Sequence, residues 1–405
     1  MQSTIGNSIK LSLFGESHGT AIGIVIDGLA PGIKLDTDFI QQQLEKRKPK
    51  GKISTQRHEA DDFKIVSGYF NGYTTGTPLC LIIENKSQMS RDYEKTKSIM
   101  RPSHADYTAD VKYMGYQDYR GGGHFSGRTT APLVAAGAIF IQILKSKGIE
   151  IGTHILKCKN ERDKDFSSDE ITLLKEIREV NEKYFPVLGK DAEEKMKNII
   201  EKAGEELDSV GGILETAVTG LPAGIGEPYF NSVESVLSHL IYSIPAVKGI
   251  EFGAGFGVTD MYGSEANDSF YYENEKVKTK TNNNGGINGG ITNSMPLIMK
   301  TAVKPTKSIY KEQESIDISK EENVKFNIEG RHDPAIIHRA RVVVDSMAAF
   351  GLLDLICMRY GYMWMMVDKI SRKLGFKKAP YIPETQVLTE RFEAYKRKQQ
   401  EEKQG

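Results

Sequence analysis

Residues 119–147 read YRGGGHFSGRTTAPLVAAGAIFIQILKSK. The part from Thr130 to Lys147 is apolar on nearly every face, with Pro132 in the first turn, where its missing N–H costs a helix nothing. A helix that is hydrophobic all round has no side to show to water and belongs in the middle of a fold, covered by other layers. The preceding loop, Tyr119–Arg128, sets three consecutive glycines between two arginines. A Gly-rich loop that feeds a helix offers backbone N–H groups at the positive end of the helix dipole, which suits phosphate or carboxylate. The glycine spacing matches neither a Walker loop nor a dinucleotide fingerprint, and a flexible link is the plainer alternative.

Around this segment the texture alternates between strand and helix. Ile22–Ile26, Phe63–Val66 and Leu79–Ile83 are short apolar runs bounded by Gly and Thr, expected as strands. Asp36–Arg47 and Ser232–Tyr242 carry helical spacing. Residues 159–208 are dense in Lys, Glu and Asp and are expected to form a solvent-facing helical excursion. One phrase recurs about half a chain apart: Ile26-Asp-Gly-Leu-Ala-Pro-Gly-Ile33 and Val218-Thr-Gly-Leu-Pro-Ala-Gly-Ile225, each followed by a helix. Either the chain is built from two related halves, or Gly-Leu-Pro is merely a common turn.

The chain has 405 residues, and Lys+Arg and Asp+Glu both number 54, so no bulk field draws it to nucleic acid or to a membrane surface. The longest apolar stretches, Ala131–Leu144 and Ala348–Val367, are too short or are interrupted by Asp354 and Arg359. Cys80, Cys158 and Cys357 are widely spaced, with no metal-type pattern, and fit a reducing compartment. No secretory leader is evident, and a cytoplasmic protein with no metal site is expected. One domain over residues 1–375 is expected, followed by a charged extension, 376–405, disordered from about residue 389.

Several polar clusters carry chemistry. Gly-Glu-Ser-His-Gly at 15–19 sets a histidine at a strand end, where a proton can be taken or given near neutrality. Arg101-Pro-Ser-His-Ala-Asp-Tyr107 supplies a second histidine between a cation and a carboxylate. Asn282–Ile291 is rich in Asn and Gly and leads to Lys304, Thr306 and Ser308, which suit a phosphate; an asparagine-rich surface loop is the alternative. Gly330-Arg-His-Asp-Pro334 precedes a helical run, and Asp333 is expected to cap it with Pro334 at its first position. Arginines 47, 57, 101, 120, 128 and 331 all fall in or beside these clusters, as recognition of several anionic groups on one small molecule requires.

Taken together the clusters resemble the chorismate synthase family. The resemblance rests on GESHG (15–19) with GIVIDGLAPGI, TQR (55–57), RPSHADYT (101–108), YRGGGHFSGR (119–128), DSVGG (208–212), SIPAVKGIEFGAGF (243–256), NGGINGGI (284–291), KPTKS (304–308) and GRHDP (330–334), in family order. It implies an α+β fold, a β-α-β sandwich with helices buried between antiparallel sheets. It also implies 1,4-elimination of phosphate from 5-enolpyruvylshikimate 3-phosphate to give chorismate, with reduced FMN as cofactor, in a homotetramer.

Carried over by position, His18 and His104 are the implied proton-transfer histidines, with Ser17, Ser126 and Asp333 as the relay. The implied substrate contacts are Arg47, Lys52, Arg101, Arg128 and Arg331. The implied flavin contacts are His124, Phe125, Ser126, Pro245, Ala246, Gly289, Lys304, Pro305, Thr306, Lys307, Ser308 and Arg331. Many relatives have Arg-Ser-Ser-Ala-Arg where this chain has His124–Arg128, so an anion-binding arginine is exchanged for His124 and a hydroxyl for Phe125. Asp345 stands where glutamate is common, and Lys52 where arginine is. Two other functions fit the same clusters: a non-catalytic flavin- or anion-binding protein, and an FMN reductase that uses NADPH.

Overall fold

The computed structural model describes residues 3–51, 53–54, 61–86, 97–274, 276–328 and 332–366. Lys52, Arg57, Arg331 and the extension 376–405 lie outside the described residues. One five-stranded sheet holds β1 (Thr4–Ile5), β2 (Lys10–Gly15), β3 (Ala21–Asp27), β4 (Phe63–Ser67) and β5 (Leu79–Glu84), in spatial order β1-β2-β3-β5-β4. The other holds β6 (Glu150–Cys158), β7 (Glu161–Arg162), β8 (Gly212–Thr219), β9 (Val247–Phe252) and β10 (Leu297–Val303), in order β9-β10-β8-β6-β7. Every pairing within both sheets is antiparallel. The principal helices, in chain order, are α1 (Thr37–Arg47), α2 (Asp106–Tyr113), α3 (Thr130–Ser146), α4 (Glu170–Glu182), α5 (Lys190–Glu205), α6 (Val233–Tyr242) and α7 (Ile337–Tyr360).

The all-apolar segment is α3, and it lies between the layers as its composition demands. It packs on β3 and β5, and its other side meets α7, which packs on β6 and β8. The two central helices touch closely because residue 137 is glycine: a Cβ there would sit 2.1 Å from Cβ of Ser346. By length and composition Gly127–Ser146 is apolar enough to cross a membrane, but most of it is buried inside the sandwich. This is the α+β sandwich of sheet, helix and sheet.

The repeat extends to individual hydrogen bonds. Strands β2, β3, β5 and β4 lie in the same spatial order as β6, β8, β10 and β9, and α1 and α3 occupy the chain positions of α6 and α7. In the first half Thr74 Oγ1 donates to Ala30 O (2.7 Å) and accepts from Ile33 N (2.9 Å). In the second, Thr292 Oγ1 donates to Pro222 O (2.6 Å) and accepts from Ile225 N (2.9 Å). Both threonines are buried. A buried hydroxyl needs both partners, so each Gly-Leu turn is fixed by the same device. The glycine-rich stretch 284–291 belongs to this device, since Ile287–Asn288 and Ile291–Thr292 form the hairpin that delivers Thr292.

Two expectations need correction. The charged excursion faces solvent on one side only: Leu173, Ile177 and Val180 of α4 are buried with Phe166 and Ala217 against the outer face of the second sheet. Sheet coverage on both faces explains why β6 is buried almost throughout. Asp333 does not cap α7 either, because the helix starts at Ile337, three residues beyond Pro334, without a side-chain cap.

Asp354, which interrupts an apolar run in the sequence, anchors the N-terminal segment. Its carboxylate accepts from the backbone N–H groups of Asn7 (2.9 Å), Ser8 (2.7 Å) and Ile9 (2.8 Å). Asp354→Ala leaves these donors without their acceptor and is expected to lower stability by about 3 kcal/mol, read as the shift in urea unfolding midpoint.

Candidate functional site

A cleft of about 360 Å³ opens where both central helices begin, with Thr130 of α3 and Ile336, Arg339 and Ala340 at the start of α7 in its wall. Both helices thus turn their positive ends to it. Seven cationic side chains line it (Arg47, Lys48, Arg101, Arg128, Lys304, Lys307 and Arg339) against two carboxylates, Asp61 and Asp333. The remaining wall includes His104, Gly121, Phe125, Ser126, Pro245, Ala246, Pro305, Thr306, Ser308 and His332. Such a surplus of positive charge in a partly desolvated cleft selects a small polyanion.

The three glycines of the opening sequence shape the proton-handling part. Gly121, Gly122 and Gly123 all have positive φ (59°, 85° and 53°). A Cβ on Gly121 would lie 2.5 Å from the His18 ring and 3.1 Å from Ser17 Oγ, and one on Gly122 3.1 Å from the His104 ring. The loop therefore passes its backbone across two imidazoles, which only glycine permits here. Gly123 O accepts from Ser17 N at 3.0 Å, and His124 Nδ1 donates to Gly15 O at 2.8 Å, tying this loop to residues 15–19. Ser17 Oγ is buried without a hydrogen-bond partner.

The arginines are held by two carboxylates, of which sequence reasoning marked Asp106 beside His104 but not Asp61. Asp61, fully buried, bridges Arg47 (Nη2–Oδ2 2.9 Å) and Arg128, whose Nη1 meets Oδ1 and whose Nε donates to Asn85 Oδ1 at 3.1 Å. Burial pushes the Asp61 carboxyl up, but the two guanidiniums outweigh it and hold it below the ordinary carboxylate range. Asp61→Ala leaves two mostly buried arginines facing each other, so stability is expected to fall by about 3 kcal/mol. Added inorganic phosphate should restore part of that loss in the same unfolding assay.

Asp106 binds Arg101 at Nε (2.7 Å), Nη2 (2.8 Å) and backbone N (3.1 Å), and its Oδ1 lies 2.5 Å from His104 Nδ1. Burial raises the Asp106 carboxyl, and the bonds from Arg101 and His104 more than reverse this. Lys307, buried beside Lys304 and Arg101, is lowered to about 8, chiefly by desolvation. Across the cleft Asp333 pairs with Arg339 at 2.5 Å, and Thr306 Oγ1 donates to the Asp333 carbonyl at 2.6 Å. Arg339 also reaches the Arg47 carbonyl at 3.4 Å.

The sequence model of the family described as chorismate synthase matches residues 9–357. The chorismate synthase of Pyrococcus abyssi is 45% identical over 349 residues, covering 86% of this chain and 96% of the relative. That of Lachnoclostridium phytofermentans is 44% identical over 373 residues, covering 92% and 99%. The chain belongs to the chorismate synthase family. A crystal structure of a chorismate synthase, 24% identical, superposes with a TM-score of 0.70 over 96% of this chain and 98% of that one, which supports the fold.

Within this family's fold the residues named from sequence separate into groups. His104, Phe125, Ser126, Pro245, Ala246, Lys304, Pro305, Thr306, Lys307, Ser308, Asp333, Arg47, Arg101 and Arg128 come together at the cleft. His18 and Ser17 lie against Gly121, itself part of the wall. His124 is bonded to the 15–19 loop, and Gly289 lies in the hairpin that steadies the second Gly-Leu-Pro turn. Arg120, grouped with the anion loop by sequence, is engaged by Asp118 at 2.8 Å from both Nε and Nη2. Asp61, Asp106, Lys48, Arg339 and His332 join the site without having been assigned to it. Only Asp106 and His332 had a local signal, through their places in RPSHADYT and GRHDP.

Proposed function

We propose that this chain converts 5-enolpyruvylshikimate 3-phosphate to chorismate by 1,4-elimination of phosphate, with reduced FMN as its cofactor. The observation that carries the reading is the joining of two imidazoles to a strongly cationic cleft by one triple-glycine loop. Elimination of phosphate requires both functions: positive charge to stabilise the leaving dianion, and groups that move protons.

Arg47, Arg101 and Arg128 would hold the substrate's carboxylates and phosphate. Their guanidiniums are already oriented by Asp61 and Asp106, so little ordering remains to be done on binding. Lys307, lowered to about 8, still carries its charge at neutral pH, and an incoming phosphate would strengthen its protonated form. Ser17, Ser126 and Asp333, with His18 and His104, are the proposed proton-handling set.

The chemistry of the wall suits a flavin phosphate. Lys304, Thr306, Lys307 and Ser308 offer charge and hydroxyls, and Phe125, Pro245 and Ala246 offer apolar surface to a flat ring. His124, Gly289 and Arg331 complete the proposed flavin contacts, and Lys52 and Arg331 the substrate contacts. When bound, reduced FMN would supply electron density to the allylic carbons that phosphate leaves and recover it afterwards, with no net redox change. A homotetramer in the cytoplasm is the proposed working form, and NADPH is the proposed reductant for the flavin.

The test is anaerobic release of inorganic phosphate from 5-enolpyruvylshikimate 3-phosphate by the full chain with photoreduced FMN. Absence of release overturns the proposal. FMN binding without release would mark a non-catalytic flavin protein, and NADPH consumption with FMN in air but no phosphate release would mark a reductase.

A further inference from the structure

We propose that Asp106 is a positioning residue that fixes His104 as its Nδ1–H tautomer, so that Nε2 carries the ring's one lone pair within the proposed proton-handling set. The last clause rests on the proposed elimination; the tautomer is a property of the chain alone.

Two groups compete for His104 Nδ1. Asp106 Oδ1 stands 2.5 Å away and Arg101 Nη2 3.3 Å away. If Nδ1 were bare it would accept from Arg101, and its lone pair would face a carboxylate oxygen at the shorter distance. With the proton on Nδ1 that contact becomes a charge-assisted hydrogen bond. Arg101 loses nothing, because Nη2 already donates to Asp106 Oδ1 at 2.8 Å.

The acceptor itself is fixed. The Asp106 carboxylate takes three bonds from Arg101 and sits in the first turn of α2, where the helix dipole favours an anion. Beside Nε2 and Cε1, residue 122 leaves room only because it is glycine. The groups that set the charge of the ring are Asp106, Arg101 and Lys307. Burial disfavours the imidazolium most, Arg101 and Lys307 add to this, and Asp106 opposes it, with the balance below histidine's ordinary value. At neutral pH the ring is therefore neutral, with one lone pair available.

The net elimination breaks a C–H and a C–O bond, forms a C=C bond, and releases one proton together with phosphate. Ser17, Ser126 and Asp333 remain the proposed relay for that proton, and an imidazolium formed whenever Nε2 takes a proton is stabilised by the Asp106 carboxylate as in other Asp–His pairs.

The test uses the full chain labelled with ¹⁵N-histidine, without ligand, at pH 7. Long-range ¹H–¹⁵N correlations, with the His104 signals identified by their loss in His104→Gln, should show Nδ1 protonated and Nε2 bare. In Asp106→Asn an NH₂ at the Oδ1 position gives up one bond from Arg101, against two at the Oδ2 position, so it turns to Nδ1 and the tautomer should reverse. The kcat for phosphate release should then fall by about 10²–10⁴-fold, the scale of a wrong tautomer. Asp106→Glu should keep the Nδ1–H signal and recover at least about tenfold of that loss. An Nε2–H ring in the wild-type chain overturns the proposal, as does an Asp106→Asn protein with unchanged tautomer and kcat. If the chain releases no phosphate at all, the functional reading fails while the wild-type spectrum still decides the tautomer.

Discussion

His104→Ala and His18→Ala are each expected to lower kcat for phosphate release by about 10²–10⁴-fold, the usual contribution of a positioned acid or base. The two losses should differ in character. His104 shares the cleft wall with Arg101 and Lys307, so truncation also opens space beside the anion-binding groups and should raise KM. His18 lies against Gly121, so its loss should fall mainly on kcat. Steady-state kinetics with reduced FMN in excess separates the two parameters. Wild-type kcat in both variants would discard the histidine assignment.

Gly121→Ala is expected to cost at least about 10²-fold in kcat although it adds one methyl group, because a misplacement near 1 Å in a catalytic group has that effect. The added Cβ would come within 2.5 Å of His18, and the residue would have to keep a φ of 59°. Backbone strain of this kind costs about 1–2 kcal/mol, a minor part of a folded chain's stability. The variant should therefore stay folded, with near-normal thermal unfolding and low turnover. Full activity in Gly121→Ala would show that the loop has no part in holding His18.

Much of the architecture was legible because local signals and burial agreed. Asp36 accepts from Phe39 N at 2.9 Å, so the helix read from Asp36 begins at its cap, and Ser232 does the same for the helix ending at Tyr242. The apolar α3 was readable as buried for the same reason. The central helix α7 was harder, since Arg341, Asp345 and Asp354 are buried along it and disguise a core element as an interrupted one. Arg341 reaches Asp345 at 3.3 Å one helical turn on, and Asp345 accepts from Thr153 at 2.6 Å, a partner that only the tertiary fold supplies.

The cleft was legible in its cations, its histidines and the carboxylate of Asp106, but not in Asp61. Asp61 meets Arg128, 67 positions away, and nothing in the residues between them marks the pair. The triple glycine was read as an anion cradle because glycine before a helix commonly serves that purpose. Its use as a backbone path across two rings depends on where residues 18 and 104 end up, which spacing alone does not give.

The duplicated architecture has a consequence for how labour is divided between the halves. Both imidazoles and the triple glycine come from the first half, whereas Lys304–Ser308, Asp333 and Arg339 come from the second. A symmetric pairing of two identical halves would place one helix start from each subunit around a shared dyad, with two equal sets of groups facing across it. Here the halves bring different groups to one cleft: Arg47, Arg101, His104 and Arg128 from the first, Lys304, Lys307, Asp333 and Arg339 from the second. Within one polypeptide the halves are free to differ, so two unlike walls close on the same molecule.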